Sequence, residues 1–177
     1  MQIPLVMTVI GEDHTGLVES VARLVAEQGG NWLESRMCRL GGQFAGILRI
    51  HIAKDKENAL VRSLQGLGAH GLTVVVRPDK TAPSSQPEKL ASLELVCHDR
   101  IGIVLQISSV LARHGINVEE LETECTSAPM SGEMLFKAVA KLSLPDSCSL
   151  LQLRRELEEV AGNMMIDLSF AEQKPEK

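Results

Sequence analysis

The feature that most constrains this chain is a short string that occurs twice. One apolar run leads into Asp13-His14-Thr15-Gly16-Leu17-Val18 and another into Asp99-Arg100-Ile101-Gly102-Ile103-Val104, the same D-x-x-G-[LI]-V pattern about 86 residues further on. The copies hold register downstream: Val21, Leu24 and Val25 fall on Ile107, Val110 and Leu111, and Gly29-Gly30-Asn31 falls on Gly115-Ile116-Asn117. A duplicated unit follows. The 177 residues divide into two units of about 80, each near the smaller end of what buries a useful core.

Periodicity assigns the elements of the first unit. Ile3 to Ile10 is a short apolar run bounded by Gly11 and reads as a buried strand. Leu17, Val18, Val21, Leu24 and Val25 share one helical stripe, which Gly29-Gly30 stops where a left-handed cap is needed. Asn31 to Leu40, the Gly41-Gly42 turn and Gln43 to Ala53 have the layout of a β-hairpin whose turn requires positive φ. A helix over Asp55 to Leu67, a stop at Gly68-Ala69-His70-Gly71 and a strand over Leu72 to Val76 complete it.

The second unit repeats the order. Leu90 to Cys97 reads as a strand and Ile101 to His114 as a helix. Ile116 to Thr126 and Glu133 to Leu142 form a hairpin around Pro129-Met130-Ser131-Gly132. A helix over Ser149 to Val160 and a strand over Met164 to Phe170 follow. The expected fold class is α+β: two ferredoxin-like βαββαβ modules, each an antiparallel sheet with its helices on one face. Residues 1–78 form module 1, the Pro-, Ser- and Lys-rich residues 79–89 a linker, 90–171 module 2 and 172–177 a polar tail.

Composition excludes several function classes. Aromatic residues make up 2% of the chain and Tyr is absent, so there are no platforms on which bases could stack, and a net charge of −5 opposes a phosphate backbone. No direct nucleic-acid binding is expected. Cys38, Cys97, Cys125 and Cys148 stand singly, with no CxxC pair and no His at zinc-ligand spacing, which predicts free, mostly buried thiols and no metal. No run approaches a membrane span and the N-terminus lacks a signal-peptide pattern, so a cytoplasmic location is expected.

Strand alternation places Glu120, Glu122 and Glu124 on one face of the second hairpin, where Lys137 and Lys141 of the partner strand can pair with them. The matching face of the first hairpin carries Glu34, Arg36 and Cys38 with Arg49 and His51 opposite. Both read as the solvated side of a half-buried sheet.

Any chemistry belongs at the repeated strand-to-helix turn. The free amides of a helix's first turn carry the positive end of its dipole and can hold a carboxylate, and glycine lets a ligand approach the backbone. Asn31 or Asn117, following the same helix, offers an amide that donates and accepts. Each residue also has a purely structural alternative. Asp13 and Asp99 are favoured N-cap residues, Gly16 and Gly102 can serve close packing, and Asn31 and Asn117 can be left-handed helix terminators. His14 and His98 do not align with each other and read as surface histidines.

Catalytic motifs are missing: no G-x-S-x-G, P-loop or H-E-x-x-H occurs. Gly66-Leu67-Gly68-Ala69-His70-Gly71 matches G-x-G-x-x-G but closes a helix instead of opening one, so it reads as a cap and turn. Neither an enzymatic activity nor a cofactor is expected.

Two βαββαβ units, each with D-x-x-G-[LI]-V at the first strand-helix junction and G-x-N at the next strand, resemble tandem ACT domains, the small amino-acid-sensing modules attached to many metabolic enzymes. A pair without a catalytic domain is similar to the glycine cleavage system transcriptional repressor group, whose members act through a partner activator. The resemblance implies a ligand near the loop at an interface between modules. It would lie among Asp13, His14, Thr15, Gly16, Leu17 and Asn31, and among Asp99, Arg100, Ile101, Gly102, Ile103 and Asn117.

His14 and Thr15 become Arg100 and Ile101, so the two loops are not expected to be equal. The resemblance further implies an amino-acid ligand such as glycine or serine, a regulatory protein partner, a homodimer and pairing of the modules into one eight-stranded sheet. Two alternatives stand beside it. One is a structural interaction module without ligand. The other is a non-catalytic relative of the ACT-like region of formyltetrahydrofolate deformylase, for which a polar tail soon after the second repeat leaves no catalytic domain.

Overall fold

Apolar alternation decides the strands and glycine decides where they turn. In β1 (Gln2–Glu12), Leu5, Met7 and Val9 are buried on one face while Thr8 and Ile10 stay exposed on the other. β2 (Asn31–Leu40) and β3 (Gln43–Ala53) are joined by Gly41 and Gly42 at φ 59° and 79°, the two-residue turn that only positive φ allows. With β4 (Leu72–Pro78) they form a sheet in the order β2-β3-β1-β4, antiparallel throughout. The structure is a computed structural model and describes residues 1–80, 89–129, 131–161 and 166–169, the last four by backbone only.

Helices α1 (Leu17–Glu27) and α2 (Glu57–Gln65) turn Leu17, Val21, Val25, Leu60 and Leu64 onto the Leu5, Met7 and Val9 face, where Leu48, Ile50 and Ile52 of β3 complete the core. Each such side chain, fully buried, contributes about 1.5–3 kcal/mol. Short 3-10 turns, Lys54–Lys56 and Gly66–His70, flank α2, and Gly71 at φ 78° leads into β4. The Gly68–Gly71 segment is thus a helix stop. Gly11 must be glycine because a Cβ there would overlap the carbonyl oxygen of Gly71.

The second module repeats the plan. β5 (Lys89–His98), β6 (Asn117–Ser127), β7 (Met134–Leu144) and β8 (Ile166–Ser169) form a sheet in the order β6-β7-β5-β8. Leu93, Leu95 and Cys97 of β5 pack with Ile103, Ile107 and Leu111 of α3 (Ile103–Arg113) and with Leu153 and Leu157 of α4 (Leu150–Ala161). Both modules are ferredoxin-like, as the residue pattern predicts.

The pairing registers prove the repeat. Gly11 stands opposite Phe44, and Cys97 opposite Phe136; both edge strands carry a bulge at the same point, Trp32/Glu34 and Val118/Glu120.

Two expectations change. Helix α3 starts at Ile103, two residues later than periodicity suggests, because Gly102 is held left-handed and Ile101 is fully exposed. The cysteines are free but not mostly buried: Cys97 is buried, Cys148 intermediate, Cys38 and Cys125 exposed. Asp79, where the linker is expected to begin, is bonded to the first module: its N–H donates to Pro4 O at 3.1 Å and its carboxylate takes Arg49 Nε at 2.6 Å. Residues 81–88, Met130, 162–165 and 170–177 lie outside the described residues, and with them the ends of the strand expected at Met164 to Phe170 and the tail expected at 172–177.

Candidate functional site

The repeated loop is built by backbone in both modules. At the end of β1 the Asp13 N–H donates to Gly42 O, and at the end of β5 the Asp99 N–H donates to Met134 O, both at 2.9 Å. Each aspartate therefore ends a strand, and neither caps a helix. The N-caps are Gly16 and Gly102, at φ 94° and 85°, with no side chain capping either helix. Their carbonyls accept the N–H groups of Ser20 and Gln106 at 2.9 and 3.0 Å. An L side chain in this left-handed region costs about 1–2 kcal/mol, so the glycines are required by the turn itself. The first-turn amides of Leu17 to Glu19 and of Val104 and Leu105 present the positive helix end with no side-chain acceptor, whereas the Ile103 N–H already donates to Arg100 O at 3.2 Å. The Leu17 and Ile103 side chains are buried in the cores, so Leu17 brings only its amide.

Around this shared backbone the side chains differ. Arg39 Nε lies 2.5 Å from Asp13 Oδ2 and neutralises the first carboxylate. Arg39 stands opposite Phe44 on the hairpin; the residue opposite Phe136 is Cys125, so a thiol replaces the guanidinium in the second module. Local desolvation and the Asp99 carboxylate hold the Cys125 thiol above its usual range. Burial does the same to Cys97, partly offset by Arg100. Asp99 itself pairs with no cation among the described residues. Arg100 is turned away: its Nη2 donates to Val160 O at 2.7 Å, at the C-terminal turn of α4, where a cation meets the negative helix end. His14 Nδ1 lies 3.1 Å from Thr15 O, and both residues are exposed.

Asn31 and Asn117 do not join the loops of their own modules. Asn31 pairs with His51, which pairs with Pro4, whereas Glu12 beside the loop pairs with Gln43. Nine strand residues, about 30 Å, separate the two ends of β1. Asn117 pairs with Ser143, at the Leu90 end of β5, and its Nδ2 donates to Glu119 Oε1. The left-handed helix terminators are Gly29 and Gly115, at φ 70° and 67°, so the asparagines do not fill that role either.

The outer sheet faces are as the alternation predicts in the second module, where Lys141 reaches Glu120 at 2.8 Å and Lys137 reaches Glu124 at 3.2 Å. In the first, Arg49 turns to Asp79. Among the described residues no group of three or more His, Cys, Asp or Glu could hold a metal ion, and no helix is long and apolar enough to cross a membrane. Residue reasoning missed Arg39; carrying the repeat register forward to Cys125 would have paired the two positions.

Residues 4–77 match one family model of the ACT domain, and residues 91–139 match another. A solved structure of unknown function from Galdieria sulphuraria is 28% identical with a TM-score of 0.81, covering 97% of this chain and 99% of that one. A structure assigned provisionally as a glycine cleavage system transcriptional repressor is 20% identical with a TM-score of 0.70, covering 97% and 98%, a likeness of fold. The formyltetrahydrofolate deformylase of Mycobacterium tuberculosis is 38% identical over 85 residues, 47% of this chain. The match spans 26% of that enzyme's length.

Proposed function

This chain belongs to the ACT domain family, one copy in each half, and from that premise we propose that it is a non-catalytic, amino-acid-responsive regulatory protein that acts through contacts with another protein. The observation that carries the reading is the duplicated loop, with an uncapped helix N-terminus behind a left-handed glycine and an aspartate three residues before it. The amides suit an α-carboxylate and the aspartate suits an α-ammonium. Glycine or serine needs little beyond those two complements.

The second loop is the better ammonium acceptor, because Asp13 already holds Arg39 while Asp99 pairs with no described cation. Asn31 enters only through a second copy, and Asn117 stays with Glu119. Antiparallel pairing of β2 with the β2 of another copy brings Asn31 of one to the Leu40 end of the other, beside its loop. Ligand and partner must then change each other's affinity by one factor. We assign this response to transcriptional control of glycine cleavage, reached through a protein partner, because the chain's charge and lack of aromatics disfavour DNA.

Calorimetric titration of glycine and serine into the full chain tests the reading. Binding is expected, weakened more by Asp99→Asn than by Asp13→Asn. The absence of heat and of thermal stabilisation at millimolar amino acid contradicts it. A second reading, a non-catalytic relative of the deformylase's matching region, is favoured by the 38% identity over 85 residues. Release of formate from formyltetrahydrofolate by this chain would contradict both.

A further inference from the structure

The second module carries an apolar groove that the first module fills with its own side chains. Between α3 and the edge strand β6 lies a cavity of about 40 Å³ whose accessible lining is apolar; Val104, Ile107 and Leu111 form one wall, and Leu121 and Phe136 face them over Ala138. Val104 and Leu121 remain 45% and 52% exposed at its mouth. At the same register in the first module, Trp32 and Met37 pack half-buried against the core, and Gly46 makes room for Met37: a Cβ there would lie 2.5 Å from Met37 Cγ. Val118, Thr123 and Ala138 replace these three and leave the groove open.

The strand beside the groove has spare pairing capacity and a charge. β6 ends its sheet and pairs only with β7, so its outer edge offers unpaired backbone groups. Asn117–Ser127 contains Glu119, Glu120, Glu122 and Glu124 and neither Lys nor Arg. Lys141 and Lys137 meet Glu120 and Glu124, but Glu122 faces Val139 and has no cation among the described residues. A second β6 pairing antiparallel here would set Glu122 on Glu122 and Glu120 on Glu124, a repulsive match. The edge therefore disfavours its own copy. A strand added beside β6 would send alternate side chains toward the groove and toward the glutamate face.

We propose that this groove and edge dock an extended segment of a partner protein in which apolar residues alternate with Lys or Arg, added as a further strand beside β6. The proposal rests on the partner-contact half of the functional reading and not on amino-acid binding. Both probes are synthetic, labelled peptides about eight residues long, the span of a strand: one alternates Val with Lys, the other Val with Glu. Fluorescence anisotropy with the full chain, without added amino acid, reads their affinity, so failure here leaves binding at the loops untouched.

The Lys peptide is expected to bind and to weaken with salt, and the Glu peptide not to bind. Glu122→Lys, at an exposed position, and Val118→Trp, which restores the first module's filler, should each weaken the Lys peptide about tenfold. Circular dichroism checks that both variants fold. No binding of the Lys peptide, equal binding of the two peptides, or unchanged affinity in both folded variants overturns the proposal. So does a chain dimer that Val118→Trp dissociates, which would make a second copy the occupant.

Discussion

In the first module Trp32 lies over Ile50, Met37 over Gly46, and Arg39 holds Asp13; at the same register in the second stand Val118 over Leu142, Thr123 over Ala138, and Cys125 beside Asp99. The backbone beneath them is shared. Gly16 and Gly102 open the helices left-handed, Gly29 and Gly115 close them, and the edge-strand bulges coincide. The contrast teaches where a duplicated fold is constrained. A left-handed residue or a close backbone approach admits little besides glycine, whereas an edge-strand side chain can change with only a groove opened or a carboxylate freed.

The sharpest way to break this comparison is to move a residue between modules where the backbones are not interchangeable. Gly11→Cys installs the counterpart of Cys97 against the Gly71 carbonyl and should destabilise the first module by about 3 kcal/mol, an overpacking cost against backbone. Trp32, the chain's single Trp, reports that module's urea transition by fluorescence, and an unchanged midpoint would show that the β4 approach is not tight.

Gly46→Ala, copying Ala138, meets Met37 and should cost about 2 kcal/mol. Adding Met37→Thr, the counterpart of Thr123, removes the 2.5 Å contact with Met37 Cγ but not the 3.0 Å approach to Arg36 O, so it should recover part of the loss and make the pair non-additive. Additive losses in the same urea titration would contradict the filled-groove account.

Gly16→Ala and Gly102→Ala should each cost about 1 kcal/mol and by nearly equal amounts, because both sites share one backbone conformation. Unequal losses, read by far-UV circular dichroism melts, would mean that the loops differ in more than side chains.

The smallest effect separates the helix contacts of the second module. Arg113 donates to Glu156 Oε2 at 2.9 Å, while His114 and Gln152 reach Oε1 at 3.2 Å; together, with Arg113 foremost, they hold the carboxyl below its usual range. A depressed folded-state pKa stabilises above the unfolded carboxyl's value and is lost as pH falls through the folded one. Protection factors of the α3 and α4 amides, taken relative to intrinsic exchange at each pH, should fall across that acidic interval in the parent chain, and Glu156→Gln should flatten the dependence.

Much of the fold was legible because two periods and a few glycines carry it. The alternation of Leu5, Met7 and Val9, the stripe of Leu17, Val21 and Val25, and the Gly41-Gly42 turn are local signals, and the structure realises each. The site was less legible. Asn31 follows α1 directly in sequence, but the helix runs back along the sheet and delivers it to the far end, a displacement no spacing records. Asp13 has the composition of an N-cap, yet its N–H continues the strand into Gly42 and the cap falls to Gly16. Arg39 and Val160, the partners of Asp13 and Arg100, lie 26 and 60 residues away, so their roles depend on hairpin register and helix packing.

The central claim is that the uncapped helix starts bind an amino acid's carboxylate, and an amide chemical-shift titration of the full chain with glycine tests it most directly. Saturable shifts are predicted at the amides of residues 17–19 and 104–105, at lower glycine concentration in the second set, where Asp99 pairs with no cation among the described residues. Unmoved first-turn amides at saturating glycine, or shifts confined to other elements, would contradict the claim.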